Sequence, residues 1–235
     1  METEFWLDRW QRGQLGWHLP AVHPLLEKYF HRFNLQPGDK VFVPLCGKSL
    51  DMAWLAQQDM QVIGCELSPL AIEQFFEMQR LQPEKNDCGE HVCWQAGPYT
   101  LYEGDFFRLP EETMDDVKFI YDRAALISLP KEGEHGRKAY LRKQRELFKV
   151  DVQTLLVTLE YDQAAMSGPP FSVGYEEVIW HYAFDHIIEF LSETDILDHE
   201  AKFRSRGLRA LTEWAFLLTR YQPVYAAFSD SPQDF

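Results

Sequence analysis

The sequence predicts an α/β domain with a mixed sheet, helices on both faces and an antiparallel last strand. From residue 40 to residue 79, short apolar runs alternate with amphipathic helical patterns, which is typical of parallel strands joined by right-handed helical crossovers. Near the end of the chain, two apolar runs at 187–191 and 212–219 leave no room for such a crossover, so we expect them to pair antiparallel. An apolar fraction of 46% and an aromatic fraction of 14% indicate a globular protein with a buried core.

The first elements have clear starts and stops. A helix is expected where apolar side chains recur at helical spacing from Leu25 to Phe33, with Pro24 in its first turn. Ser68 and Pro69 are a capping residue and a first-turn proline, so a later helix should begin there. Around these helices, the apolar runs predict strands at 40–43 and 61–66 and a further helix from Leu50.

Shorter patterns predict the rest of the core. Apolar runs indicate strands at 99–103, 117–121 and 153–160, and helical patterns cover 135–149 and 175–183. Residues 82–98 show no periodicity and are predicted to be a loop insertion. The helix at 135–149 carries six basic side chains, which we expect to form a solvated face: Arg137, Lys138, Arg142, Lys143, Arg145 and Lys149.

The first 20 residues are rich in aromatic rings on a polar background. Trp6 and Trp10 are four positions apart, so a helix would place them on one face, with Phe5 and Trp17 nearby. Two interpretations are open: a helix docked on the core by its rings, or a lid whose rings cover a ligand. We expect one domain over 1–235, divided into a helical lid segment (1–35), an α/β core (36–220) and a C-terminal tail (221–235).

The charges and the chain start restrict the class of partner. The 23 basic and 37 acidic residues give a net charge of −14, which repels nucleic-acid phosphates. No window holds the roughly 18 apolar residues of a membrane span. The N-terminus, Met1-Glu2-Thr3-Glu4, carries two acidic residues and lacks the basic start and apolar core of a signal peptide. We therefore expect a cytoplasmic protein that acts on a small molecule, and a monomer, since no long exposed apolar helix is evident.

The four cysteines are expected to be free thiols in a reducing cytosol. A zinc site at Cys88, His91 and Cys93 lacks a fourth ligand and a second close cysteine pair, so no metal is expected.

Candidate site residues follow the strands, because ligands of open α/β sheets bind beyond the carboxyl ends of the strands. Glu66 ends the second predicted strand and lies 19 residues after Gly47. An acidic residue about 20 positions beyond a glycine-containing first turn is the usual partner of two ribose hydroxyls. The alternative is an ordinary surface glutamate.

The first turn, residues 44–49, argues against nucleotide phosphates. Phe42 stands where a Walker A loop needs glycine, and one glycine does not make a dinucleotide fingerprint. A ligand with a ribose and no phosphate fits better, and S-adenosylmethionine is such a ligand. Its adenine would lie against Phe106, while Asp105 either bonds the purine edge or is structural. Arg123, after the next strand, either holds an anion (the carboxylate of the ligand or a developing thiolate) or belongs to a strand-end ion pair or helix cap with Asp122.

At these residues the chain resembles the thiopurine S-methyltransferase family, and its bacterial members most closely. The similarity runs over nearly the whole chain, and the Pro-Leu-Cys-Gly-Lys turn is specific to this group. The segments that carry it are 5–10 (FWLDRW), 41–49 (VFVPLCGKS), 62–68 (VIGCELS), 121–126 (YDRAAL) and 168–171 (GPPF). The resemblance implies a class I methyltransferase, Rossmann-like, that uses S-adenosylmethionine and no metal.

The resemblance also implies roles for single residues. The cofactor contacts would be Trp10, Leu45, Glu66, Asp105, Phe106 and Arg123, and Trp17 would lie near the methyl acceptor. Arg123 would also be the catalytic residue. The family methylates aromatic and heterocyclic thiols, including thiopurines, and its bacterial members are linked to selenium and tellurium methylation.

The chain departs from mammalian members at Ala124, where they have glycine, and at Asp105 and Phe106. Two alternatives stay open beside methyl transfer. One is a nicotinamide-dependent oxidoreductase, which the glycine-poor turn disfavours, and the other is a non-catalytic small-molecule binding protein.

Overall fold

A computed structural model describes residues 3–222, and its single sheet confirms the predicted mixed α/β class. The strands of this described part are β1 (Lys40–Pro44), β2 (Gln61–Glu66), β3 (Glu84–Cys88), β4 (His91–Ala96), β5 (Tyr99–Glu103), β6 (Val117–Arg123), β7 (Gln153–Glu160), β8 (His186–Asp195) and β9 (Thr212–Arg220). They lie in the order β3-β4-β5-β2-β1-β6-β7-β9-β8.

Strands β5, β2, β1, β6 and β7 form a parallel block at the centre of the sheet. The chain leaves β1 toward β2 on one side and later returns to β6 on the other side, so the strand order reverses beside β1. Such a switch point opens a crevice at the carboxyl ends of the strands, which is where ligands of this architecture bind. The last strand, β9, is antiparallel to both β7 and β8, as predicted.

Helices cover both faces of the sheet. They are α1 (Thr3–Gln11), α2 (Pro24–Tyr29), α3 (Leu50–Gln57), α4 (Pro69–Gln79), α5 (Ala125–Ser128), α6 (Arg137–Leu147), α7 (Tyr175–Tyr182) and α8 (Ala201–Ser205), with single 3-10 turns at Phe30–Phe33, Phe106–Arg108, Glu111–Met114 and Leu197–His199. Alternate residues of a strand face opposite sides, so Val41 and Val43 join the core under α2, α3 and α4, whereas Phe42 joins the core under α5, α6 and α7.

The predicted helix starts are confirmed at two positions that border the site. The Ser49 hydroxyl accepts from the Asp51 backbone N–H (3.2 Å), and the Ser68 hydroxyl accepts from the Ala71 N–H (3.3 Å). Each bond satisfies a backbone donor that a helix start leaves free. Pro69 occupies the first turn of α4, as expected.

The prediction of a loop at residues 82–98 is wrong, because this segment forms the antiparallel hairpin β3–β4 on the sheet edge. Most of β3 is exposed, so its side chains carry no hydrophobic alternation that would mark a strand. β4 also pairs with β5 across the two-residue turn between Ala96 and Tyr99, and this pairing is not reported by hydrophobic periodicity.

The basic helix is also only partly as predicted. Its helical bounds are narrower than 135–149, and Arg137 is buried, not solvated. Arg137 donates to the Leu129 carbonyl (3.1 Å) and pairs with Glu177 (2.8 Å between Nε and Oε1). This ion pair ties α6 to α7 below the sheet edge.

Of the predicted C-terminal tail, residues 223–235 lie outside the described residues. Every helix between residues 3 and 222 is too short or too polar to cross a bilayer. Within the same range, His, Cys, Asp and Glu side chains form no cluster of three that suits a metal ion, and the four cysteines are free.

Candidate functional site

A cavity opens at the switch point, beside the carboxyl ends of β1 and β6. It encloses about 380 Å³ of empty space, counting the part open to solvent. Its walls come from the first turn, the start of α3, the end of β6 and the N-terminal segment. The lining residues are Trp10, Trp17, His18, Val43, Leu45, Cys46, Gly47, Lys48, Ser49, Asp51, Tyr121, Arg123 and Ala124.

Four of the predicted site residues therefore meet in this cavity: Trp10, Trp17, Leu45 and Arg123. Glu66 reaches it through one wall residue, because the Gly47 backbone N–H donates to Glu66 Oε2 (2.9 Å). The Ser68 N–H donates to the other oxygen, Oε1 (2.8 Å). Glu66 is 6% exposed, and burial raises the pKa of its carboxyl, although the backbone donors of Ser68, Gly47 and Leu67 oppose the shift.

This turn leaves little space at Gly47. Its φ is +54°, and a β-carbon there would lie 3.1 Å from the Trp10 ring. Leu45 and Ala124, which follow β1 and β6 and also line the cavity, have positive φ as well (44° and 76°). Residues other than glycine rarely adopt this conformation, and strained backbone of this kind is concentrated at functional sites.

Three tryptophan rings of the N-terminal segment pack edge-to-face beside the cavity. The ring centroid of Trp17 lies 5.1 Å from that of Trp6 and 6.0 Å from that of Trp10. Trp10 is only 4% exposed and is therefore as buried as a core residue. The first interpretation is confirmed for Trp10, because its ring is buried against the core, and Trp10 and Trp17 both line the cavity; that these rings cover a ligand stays a prediction.

Arg123 is engaged on two sides. Its Nη1 donates to the Trp17 carbonyl (3.1 Å), which fastens the N-terminal segment, and its Nη2 pairs with Asp51 Oδ2 (3.3 Å). Asp51 is fully buried and also accepts the His23 N–H (2.8 Å). Burial opposes the charge of Arg123, but Tyr121 and Asp51 outweigh it and raise the pKa of the guanidinium.

Two polar atoms at this corner have no hydrogen-bond partner among the described residues, Arg123 Nε and the Tyr121 hydroxyl. Asp122, between them in sequence, points to the other face and is the helix cap that the sequence allowed. Its carboxylate accepts from the Leu126 N–H (3.1 Å) and from the Tyr140 hydroxyl (2.7 Å), and burial raises its pKa to about 6.

His18 and Lys48 are cavity residues that the sequence analysis missed. The Lys48 ammonium lies 6.0 Å from the Trp10 ring centroid and donates to Gln74 Oε1 (2.8 Å). The pKa of His18 is lowered, first by burial and then by the positive charges of Lys48 and Arg123. His18 is therefore a neutral imidazole at pH 7, next to two cations.

Asp105 and Phe106 are not brought to this cavity. Asp105 Oδ1 accepts the Phe107 N–H (3.0 Å) and so starts a 3-10 turn, which is the structural alternative for this residue. The Phe106 ring is 2% exposed and lies against Phe42 and Tyr140 in the core. A backbone bond from Gly104 N–H to the Glu66 carbonyl (3.0 Å) nevertheless places this turn beside the Glu66 turn.

The missed residues left weak signals in the sequence. Asp51 lies in the first turn of α3, two residues after the capping Ser49. Tyr121 neighbours Ile120 in β6, so its side chain faces the other side of the sheet from the core under α6. His18 and Lys48 are polar residues of a loop and a turn, and only the folded chain brings them together.

Comparisons with known proteins identify the family of this chain. The sequence model of the family described as "Thiopurine S-methyltransferase (TPMT)" matches residues 1–221. The chain belongs to the thiopurine S-methyltransferase family. Its relatives include proteins named "Thiopurine S-methyltransferase" from Xanthomonas axonopodis pv. citri, 44% identical over 94% of this chain and 100% of that one, and from Shewanella sp. (strain ANA-3), 43% identical with the same coverage.

The fold of this thiopurine S-methyltransferase family member is also found in solved structures. One is the 1,6-didemethyltoxoflavin-N1-methyltransferase of Burkholderia thailandensis with bound 1,6-didemethyltoxoflavin and S-adenosylhomocysteine. The TM-score is 0.61 at 13% identity, over 94% of this chain and 87% of that one. The predicted class I methyltransferase fold is confirmed, and family membership removes the support for a nicotinamide-dependent oxidoreductase.

Proposed function

We propose that this chain transfers the methyl group of S-adenosylmethionine to the sulfur of small aromatic or heterocyclic thiols such as thiopurines. Membership of the thiopurine S-methyltransferase family carries the proposal, with relatives of that name aligned over their whole length. The cavity at the switch point supports it, because it joins the Glu66 turn to the Arg123 corner beside the rings of Trp10 and Trp17.

The residues present fit S-adenosylmethionine. Both Glu66 oxygens accept one backbone N–H each, and each retains a lone pair for one of two neighbouring ribose hydroxyls. The first turn offers one glycine and no phosphate cradle, which suits a nucleoside without phosphates. Trp10 and Leu45 would line the path of the methionine part, and the turn at Asp105 and Phe106 would flank the base.

When bound, S-adenosylmethionine supplies a methyl group that its sulfonium already activates. The protein has to hold the acceptor sulfur in line with that methyl group and exclude water. Alignment of this kind is worth roughly 7–11 kcal/mol. Trp10 and Trp17 serve both needs, because their packed rings close the cavity with apolar surface.

Arg123 supplies a fixed positive charge to the acceptor. An arginine stays protonated at neutral pH, so it stabilises a thiolate and does not remove the proton itself. The acceptor sulfur arrives ionised or releases its proton to solvent, its lone pair forms the new carbon–sulfur bond, and the sulfonium carbon–sulfur bond breaks. Because Asp51 compensates part of the Arg123 charge, we expect this stabilisation to be moderate.

Methyl transfer from isotope-labelled S-adenosylmethionine to 6-mercaptopurine tests the proposal. We expect labelled S-methyl product that depends on the protein. Binding of S-adenosylhomocysteine without product from thiols or from an aromatic selenol would contradict methyl transfer and favour a non-catalytic binding protein.

We also propose that the protein acts as a cytoplasmic monomer. Buried free thiols at Cys46, Cys65 and Cys93 suit a reducing compartment. The exposed edge strand β8 carries the acidic residues Glu193 and Asp195, whose charges oppose pairing with a second copy of the strand. Light scattering at increasing concentration should give the mass of one chain, and a doubled mass would contradict the monomer.

A further inference from the structure

Tyr121 is a buried tyrosine whose hydroxyl faces the candidate cavity. It is the fifth residue of β6, is 1% exposed and lies on the same sheet face as Phe119. Its hydroxyl has no hydrogen-bond partner among residues 3–222, although Tyr121 itself lines the cavity. A buried hydroxyl without a partner is costly, and native proteins seldom leave one unless a water or a ligand completes it.

The two charged neighbours of this hydroxyl, Asp51 and Arg123, form an ion pair with each other. Both lie close enough to Tyr121 to shift its pKa, but neither completes a hydrogen bond of normal length and angle with its oxygen. Asp51 accepts from Arg123 Nη2 and from the His23 N–H. Among the described residues, the Tyr121 hydroxyl is therefore left without a completed hydrogen bond, in the wall of the cavity.

The electrostatic setting keeps this group a donor. Burial, followed by the negative charge of Asp51, raises the pKa of Tyr121 well above its ordinary value, so the phenol stays protonated at neutral pH. Arg123, on the same strand two residues later, brings a positive charge to the same wall. A ligand that fits this wall presents a hydrogen-bond acceptor to Tyr121 and negative charge to Arg123.

We propose that the Tyr121 hydroxyl donates a hydrogen bond to a ring nitrogen next to the carbon that bears the acceptor sulfur. This inference rests on the proposed function and makes Tyr121 a determinant of preference for heterocyclic over carbocyclic thiols. A bond to nitrogen leaves the sulfur lone pair free for the transfer. A site that bonds a polar group of its substrate discriminates strongly against an analogue that lacks the group, because the buried partner is then unsatisfied.

The test is Tyr121→Phe, which removes only the hydroxyl. The probes are 6-mercaptopurine, which has one ring nitrogen next to its sulfur-bearing carbon and presents it as an acceptor in the thiolate form, and thiophenol, which has no ring nitrogen. We expect kcat/KM for 6-mercaptopurine to fall about tenfold, with thiophenol changed less than twofold. Calorimetry should show the same loss in the affinity of the S-adenosylhomocysteine-loaded protein for 6-mercaptopurine, and no change in the affinity for S-adenosylhomocysteine.

Tyr182→Phe is the matched control. Its hydroxyl is also buried and without a partner in the described chain, but it lies on α7 beneath the other sheet face. We expect this variant to leave the ratio of the two kcat/KM values unchanged. An unchanged ratio in Tyr121→Phe, or an equal loss for both thiols, would overturn the inference. Failure of the wild-type protein to methylate either thiol would instead overturn the proposed function.

Discussion

The two parts of the site, at the carboxyl ends of β2 and β6, differ in how completely their polar groups are hydrogen-bonded within the protein. At the Glu66 turn, both carboxylate oxygens accept backbone N–H groups from Gly47 and Ser68. At the Arg123 corner, the Tyr121 hydroxyl and Arg123 Nε, two residues apart in sequence, have no hydrogen-bond partner within residues 3–222. The first part is complete without a ligand, and the second is not.

The difference indicates that the two parts of the site have different roles in ligand binding. A preformed turn binds a constant ligand with little ordering cost, because the groups that hold it are already in place. A corner with free donors gains most from the ligand that satisfies them, and so discriminates between ligands. The Glu66 turn suits the cofactor that every turnover uses, and the Arg123 corner suits the acceptor.

The largest effect is expected from Arg123→Ala. This substitution leaves the fully buried Asp51 without its cation, and breaking a buried pair on one side costs about 3 kcal/mol or more in the free energy of unfolding. It also frees the Trp17 carbonyl and so loosens the N-terminal segment. Urea denaturation measures the loss.

The double variant Arg123→Ala, Asp51→Asn separates the charge from the packing. It should regain at least about 1 kcal/mol of stability relative to Arg123→Ala, because the unpaired charge is gone. If the double variant is no more stable than Arg123→Ala, the ion pair between Asp51 and Arg123 does not contribute to stability, and the loss in Arg123→Ala comes from packing.

Glu66→Ala should mainly affect cofactor binding. Losing hydrogen bonds to two ribose hydroxyls costs about 1.5–3 kcal/mol, or roughly 10- to 150-fold in the dissociation constant of S-adenosylhomocysteine. Isothermal titration calorimetry measures it. The affinity of the loaded protein for the thiol should change less.

Glu103→Ala is the control for this experiment. Glu103 ends the neighbouring strand in register with Glu66, but its carboxylate accepts the Trp94 indole N–H (2.9 Å). The control should bind S-adenosylhomocysteine like the wild-type protein. Equal affinities in Glu66→Ala and Glu103→Ala would show that the Glu66 turn is structural.

The smallest effect is expected from Ala124→Gly. Ala124 directly follows Arg123 and has a φ of 76°. This left-handed backbone conformation costs alanine roughly 1–2 kcal/mol. Glycine removes this strain but gains entropy in the unfolded chain, so we expect a net stabilisation of about 0.5 kcal/mol in thermal denaturation. Ala125→Gly, in the first turn of α5, should instead destabilise by about 1 kcal/mol. A loss in both variants would show that the Ala124 backbone is not strained.

The residues that the sequence predicts best are those with a local physical signature. Ser68 and Pro69 mark a helix start, and Glu66 lies at the end of β2 and accepts the Gly47 N–H, as its spacing from the first turn suggests. Such signals survive in one sequence because cap, turn and strand end are neighbours along the chain.

The parts that the sequence does not predict lack a hydrophobic pattern or depend on distant contacts. The hairpin β3–β4 is of the first kind, because its exposed residues show no hydrophobic period. Phe106 follows a strand end, yet its ring turns into the core and not toward the cavity. The pairing of Arg123 with Asp51, 72 residues apart, is likewise invisible until the fold brings β6 and α3 together.

The most direct test of the account is a crystal structure of the protein with S-adenosylhomocysteine. We expect both ribose hydroxyls within hydrogen-bond distance of the Glu66 carboxylate, and the thioether sulfur beneath Trp10, facing the wall formed by Tyr121 and Arg123. Density for the ligand elsewhere, or a Glu66 carboxylate bonded to backbone alone, would contradict it.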